Sequence, residues 1–127
     1  MQQYHKPQTK KVSSGTGGAK RKNKDKKLIH MGGVFTATKV SKVEDKREKR
    51  TVGGKIKIKL KKAVFVNTRT KDGKMAKVKI IGVVESHNSE FVRQNIITKG
   101  AVLNTDIGKV KVTNRVGQDG SINGVAV

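Results

Sequence analysis

Lys55-Ile56-Lys57-Ile58-Lys59-Leu60-Lys61 alternates charge and hydrocarbon at every step. Successive side chains of an extended chain point to opposite sides, so this spacing predicts a β-strand with Ile56, Ile58 and Leu60 on one face and a row of lysines on the other. Gly53-Gly54 before it reads as a turn. After Lys62 the phase breaks ahead of Ala63-Val64-Phe65-Val66, which predicts a bulge or a strand buried on a second face. Asp72-Gly73 is a hairpin signal and leads into a second alternating run, Lys77-Val78-Lys79-Ile80-Ile81, before Gly82.

Working outward, further strands are predicted at Ile96 to Thr98, Ala101 to Asn104, Gly108 to Thr113 and Ile122 to Val127. Lys99-Gly100, Asp106 to Gly108 and Gln118-Asp119-Gly120 supply the turns between them. About six short strands with tight turns and almost no helical periodicity predict an all-β domain over 53–127, a small closed antiparallel β-barrel. Closure removes the sheet edges and leaves alternate outward positions free for Lys and Arg.

Residues 1–52 have another texture. Their few apolar residues are scattered without period among Ser, Thr, Gly and Lys, so the segment buries too little surface to offset chain entropy. It is predicted to be a long, basic, irregular N-terminal extension that orders on its partner. Leu28, Ile29, Val34 and Phe35 within it suit a segment that orders against a large irregular surface. Lys46 to Arg50, with Glu44, Asp45 and Glu48 interleaved, has the i,i+4 spacing of one or two helical turns.

The chain holds thirty Lys and Arg against nine Asp and Glu, a net charge of +21 over 127 residues. The surplus is spread evenly, with fifteen basic and four acidic side chains in 1–52 and fifteen and five in 53–127. A free protein with such a surplus repels itself, and a polyanionic partner relieves that cost. Nucleic acid is the partner this composition points to. One Tyr, three Phe and no Trp provide no stacking platform for single-stranded recognition of the usual kind. No predicted helix is long enough to read a major groove. Recognition of phosphates and of the shape of a structured RNA remains, and ribosomal RNA is the most abundant such target.

Other chemistries fit poorly. Ser13-Ser14-Gly15-Thr16-Gly17-Gly18-Ala19-Lys20 lacks the P-loop spacing and a preceding strand. It reads as a linker, or as glycines that let the backbone approach RNA beside Lys20-Arg21-Lys22. His87 with Glu85 and Glu90 is the only histidine near carboxylates in 53–127, without a nucleophile elbow or metal-spaced partners. No catalytic residue, metal, cofactor or small-molecule substrate is expected. The absence of Cys excludes disulfides, and no apolar run approaches the ~18 residues of a membrane span. A soluble, cytoplasmic protein is expected.

The residues expected to touch RNA follow from charge and backbone access. In the extension they are Lys6, Lys10, Lys11, Gly17, Gly18, Lys20, Arg21, Lys22, Lys24, Lys26, Lys27, His30, Thr36, Thr38, Lys39, Arg47, Lys49 and Arg50. Beyond it they are Gly53, Gly54, Lys55, Lys57, Lys59, Arg93 and Arg115.

The order of segments resembles the archaeal and eukaryotic small-subunit ribosomal protein family eight. The likeness is carried by Thr16-Gly17-Gly18, by the basic stretch Lys24 to His30, and by Phe35-Thr36-Ala37-Thr38-Lys39-Val40. It continues through Gly53-Gly54 and Val78-Lys79-Ile80-Ile81-Gly82-Val83-Val84-Glu85, and is most specific at Phe91-Val92-Arg93-Gln94-Asn95-Ile96-Ile97-Thr98-Lys99-Gly100-Ala101. The run Ile107 to Gly120 matches the archaeal form, and the chain lacks the large insertion of eukaryotic members. The resemblance implies a β-barrel with a basic extension threaded among rRNA helices, small-subunit rRNA and neighbouring ribosomal proteins as partners, and no catalysis. A general nucleic-acid-binding or DNA-compacting protein is the alternative that composition alone leaves open.

Overall fold

The computed structural model describes residues 4–5, 12–19, 28–70 and 73–127. The chain divides into two compact units, Met1–Phe35 and Thr36–Val127. In the first, Tyr4 forms an antiparallel bridge with Met31, Val12 with Ala19, and Leu28–His30 makes one 3-10 turn.

Nine strands are described in the second unit: β1 (Thr38–Val40), β2 (Asp45–Arg50), β3 (Ile56–Ala63), β4 (Phe65–Arg69), β5 (Met75–Glu85), β6 (Ile96–Ile97), β7 (Val102–Thr105), β8 (Gly108–Val112) and β9 (Asn123–Ala126). Two short helices, α1 (Ser89–Arg93) and α2 (Val116–Asp119), interrupt them. Five strands close a barrel in the order β4-β5-β7-β8-β9, and the other four form a sheet ordered β2-β3-β1-β6.

The all-β reading and the barrel therefore hold, with corrections. The barrel has five strands: the alternating run 55–61 (β3) and Ile96-Ile97 (β6) both belong to the other sheet, while Phe65–Arg69 (β4), expected only as a bulge or a second buried face, takes a place in the barrel. It is not purely antiparallel: β4 pairs in parallel with β9. Parity requires this. Strands that alternate in direction around a ring return with the first and last parallel when their number is odd. Residues 36–52, read from sequence as extension, lie in the same unit as the barrel. Lys46 to Arg50 is strand rather than helix, because a six-residue ladder to β3 outweighs i,i+4 pairs worth about 0.2–0.5 kcal/mol each.

The barrel interior is filled by alternate residues, among them Val66, Val78, Ile80, Leu103, Val110 and Val112, and Ile122 joins this core. Each such burial contributes roughly 1.5–3 kcal/mol. Leu60 and Ala63 are both buried although three positions apart, which strict alternation forbids. The ladder shows how: the register shifts between Asp45 and Lys46, so that Lys61 is the extra residue of a bulge. The break expected after Lys62 thus falls just before it. Ile80 and Val83 repeat the device on β5, where the register shifts between Ile80 and Gly82.

Candidate nucleic-acid interface

β2 and β3 form a two-stranded ribbon whose turn is built by Thr51 to Lys55. The Thr51 N–H donates to the Lys55 carbonyl at 2.7 Å and the Thr51 hydroxyl donates to the same oxygen at 2.9 Å. Gly53 and Gly54 take φ of 84° and 78°, the left-handed region where a side chain is strained, so the paired glycines are what this turn requires.

Register decides which cations share a face. Arg47 lies opposite Lys59 and Lys49 opposite Lys57. Residues directly opposite point the same way, so these four form a square of positive charge on one side. Leu60, Ile58 and Ile56 point to the other, where they lie opposite Lys46, Glu48 and Arg50. Leu60 is in the core, and Gly120 after α2 abuts Ile58. The square therefore faces away from the core.

Like charges placed directly opposite destabilise a ladder. Two such pairs stand side by side here, and among the described residues none of the four cations forms an ion pair with a carboxylate; Lys46, on the opposite face, takes Glu44 at 2.9 Å. Residues 45–63 hold nine of the thirty cations and two carboxylates. A polyanion laid along this face would offset that repulsion.

Other expected residues are placed less uniformly. Lys39 and Lys55 are exposed. Thr38 is fully buried and its hydroxyl donates to the Leu60 carbonyl at 2.6 Å, so it joins β1 to β3 and is corrected from a surface contact to a core residue. Thr36 is half-buried against Gly117. Arg93 on α1 is exposed but pairs with Glu90 at 2.7 Å, which takes up part of its charge. Arg115 is exposed at the start of α2. In the first unit, Gly17 and Gly18 sit in a turn whose Gly17 N–H donates to the Ser13 carbonyl at 3.2 Å, and the half-buried His30 accepts the His5 N–H at 2.8 Å. Lys6, Lys10, Lys11, Lys20, Arg21, Lys22, Lys24, Lys26 and Lys27 lie outside the described residues.

His87 is exposed, stacks edge-on with Phe91 at 5.2 Å and lies 3.5 Å from the Thr98 hydroxyl. Neither neighbour is an acid or a base. Among the described residues no cluster of His, Asp or Glu is placed to hold a metal ion, and no helix is long and apolar enough to cross a membrane.

Sequence reasoning overlooked the outward cations of the barrel, Arg69, Lys77, Lys79, Lys109 and Lys111, all exposed. The signal was available for Lys77 and Lys79, which alternate with the buried Val78 and Ile80.

The family model of ribosomal protein S8e matches residues 7–127. The small ribosomal subunit protein eS8 of Sulfolobus acidocaldarius is 46% identical over 110 residues, covering 85% of this chain and 86% of that protein. The eS8 of Sulfurisphaera tokodaii is 43% identical over 114 residues, with 88% and 89% covered. That of Ignicoccus hospitalis is 40% identical over 127 residues, with 98% and 95% covered.

Proposed function

The chain belongs to the ribosomal protein S8e family, and from that premise we propose that it is a structural constituent of the small ribosomal subunit that binds folded rRNA. It acts by binding rather than catalysis, resides on cytoplasmic ribosomes, and has rRNA and neighbouring ribosomal proteins as partners. The observation that carries the RNA contact is the square of Arg47, Lys49, Lys57 and Lys59, cations set opposite one another without a carboxylate among them.

The division of labour is twofold. The ribbon is a preformed face, so it presents phosphate ligands at small ordering cost. Residues 1–52 include its first strand; the part that precedes Thr36 adds a basic segment that orders on contact and ties neighbouring RNA segments together. Both act through phosphate and shape, the mode that suits a target whose fold is already defined.

The test is sedimentation of a tagged copy from lysate through a sucrose gradient, with and without a high-salt wash. Co-migration with the small subunit that survives the wash is expected. Release from the subunit with recovery on DNA would replace this reading with that of a DNA-compacting protein.

A further inference from the structure

The outer wall of the barrel carries a second surface that the ribbon does not use. Lys77, Asn67 and Asn123 lie opposite one another across β5, β4 and β9, and Met75, Arg69 and Val125 form the next row. Between the rows runs an open groove of about 580 Å³, lined by Asn67, Arg69, Met75, Lys77, Thr113 and Asn123 among others. That volume is within the range of sites that hold a ligand of nucleotide size. No carboxylate lines it.

The two amides determine what it can recognise. The Asn67 amide nitrogen donates to the Asn123 side-chain oxygen at 3.3 Å. That bond leaves the Asn67 oxygen and one of its N–H groups, and both Asn123 N–H groups with one oxygen lone pair, so an acceptor on Asn67 stands beside donors on Asn123, and exchanging O and N in both side chains leaves the same complement. The backbone that carries Asn123 is held in place. The Asn123 N–H donates to Asn114 Oδ1 at 3.0 Å, its carbonyl accepts the Thr113 hydroxyl at 3.1 Å, and Asn114 donates to the Ser121 carbonyl at 2.8 Å. An acceptor beside a donor complements a base edge that offers a donor beside an acceptor, as adenine does with N6–H and N7. Arg69 and Lys77 flank the amides with charge for a phosphate, and a guanidinium plane also stacks on a base.

We propose that this groove seats one unstacked RNA nucleotide, its base edge on the Asn67–Asn123 amide pair and its phosphate between Arg69 and Lys77. The proposal rests on the RNA-binding reading above and deepens it: the ribbon holds backbone, and the groove reads a base that the folded RNA leaves unpaired.

Side-chain amide NMR of the full chain tests it directly. Adenosine monophosphate is expected to shift the Asn67 and Asn123 signals, while inorganic phosphate leaves them in place. Unmoved amides with the nucleotide, or the same shifts with an oligoglutamate peptide, would overturn the proposal, the second by assigning the groove to an acidic protein segment. In anisotropy titrations at about 0.3 M KCl, where counterion release contributes less, Asn67→Ala/Asn123→Ala is expected to weaken a single-stranded RNA decamer by about tenfold and to spare a blunt RNA duplex. Equal losses on both probes would mean that the amides only support the wall. Lys57→Ala/Lys59→Ala reports separately, through the salt dependence of both probes, on whether the ribbon binds RNA at all.

Discussion

The barrel and the ribbon are written in the same alternating code and use it for opposite ends. In the barrel, Val66, Leu103 and Val110 are 0% exposed, because the sheet closes and every inward side chain meets another. On β3, Ile58 is 42% and Ile56 64% exposed, since the ribbon runs out past the core and, of the three alternating residues Ile56, Ile58 and Leu60, Leu60 alone is covered. An alternating pattern thus specifies which side chains share a face, while closure decides whether that face is dry. The lesson extends to charge. Outward lysines on the barrel face other polar or apolar residues across the ladder, whereas those on the ribbon face Arg47 and Lys49. The ribbon therefore carries a local electrostatic cost that these barrel pairs do not.

The contrast is broken most directly by cutting the same hydrocarbon from each region. Leu103→Ala is expected to cost about 2–5 kcal/mol in urea denaturation, the transfer term plus a cavity in a closed interior. Ile56→Ala is expected to stay within about 0.5 kcal/mol of the parent, as an exposed substitution does. A comparable loss at Ile56 would show that the ribbon is stabilised by its apolar face after all.

The next effect concerns binding. Removing Lys57 and Lys59 together takes two phosphate partners from the square, so the slope of log affinity against log salt should fall by about 1.4 to 1.8. Fold stability should hold or rise slightly, since two like-charge oppositions disappear. An unchanged slope would exclude the ribbon from the RNA interface.

A single charge reversal separates the two properties further. Lys49→Glu turns the opposition with Lys57 into an attraction, with an expected gain of about 0.2–1 kcal/mol in the free protein and weaker RNA binding. The matched change in the barrel, Lys77→Glu, has Asn67 opposite and forfeits the position of the ammonium over the Phe65 ring at 4.8 Å, so it should bring no gain. Equal responses at both sites would reduce the ribbon's cost to net charge alone.

How much of this was legible follows from where the pattern is hydrophobic. β3, β5 and β8 were readable because Val, Ile or Leu marks one side at every second position, whereas β9 turns Gly124 inward and Val125 outward and was legible mainly from its β-forming residues and the turn before it. β2 was not. Asp45 to Arg50 contains no apolar residue, so its period is written only in charge and becomes a strand solely through the partner ladder of β3. The barrel's membership was misread because an apolar pattern tells burial but not which sheet receives it: both the 55–61 run and Ile96-Ile97 went to the other sheet, and Phe65–Arg69 entered the barrel. For the candidate interface, composition identified the cations, and register alone brought Arg47 and Lys49 beside Lys59 and Lys57. The spent hydroxyl of Thr38 and the linked amides of Asn67 and Asn123, fifty-six positions apart, have no signature in a single sequence.

The smallest expected effect lies outside both regions, on α1, and it separates local charge pairing from the repulsion that dominates the ribbon. Glu90 accepts from Arg93 at 2.7 Å and from Gln94 at 2.6 Å, and those two hydrogen bonds, Arg93 first, hold its carboxyl below the ordinary value of 4.5. A carboxylate whose folded value is depressed binds fewer protons folded than unfolded at intermediate acidity. Its contribution is therefore complete above the unfolded value, declines as pH falls through the lowered folded value, and vanishes where both states are protonated. Glu90→Gln should accordingly be slightly less stable than the parent at neutral pH, and the two Tm curves should converge as pH drops below about 4.3. The gap should be narrow, because the pair is exposed and surface pairs are worth little. It should also shrink with added salt, whereas the free protein's ribbon, whose charges repel, should be stabilised by the same salt. Opposite responses to one variable are what set an ordinary surface ion pair apart from a face made of cations.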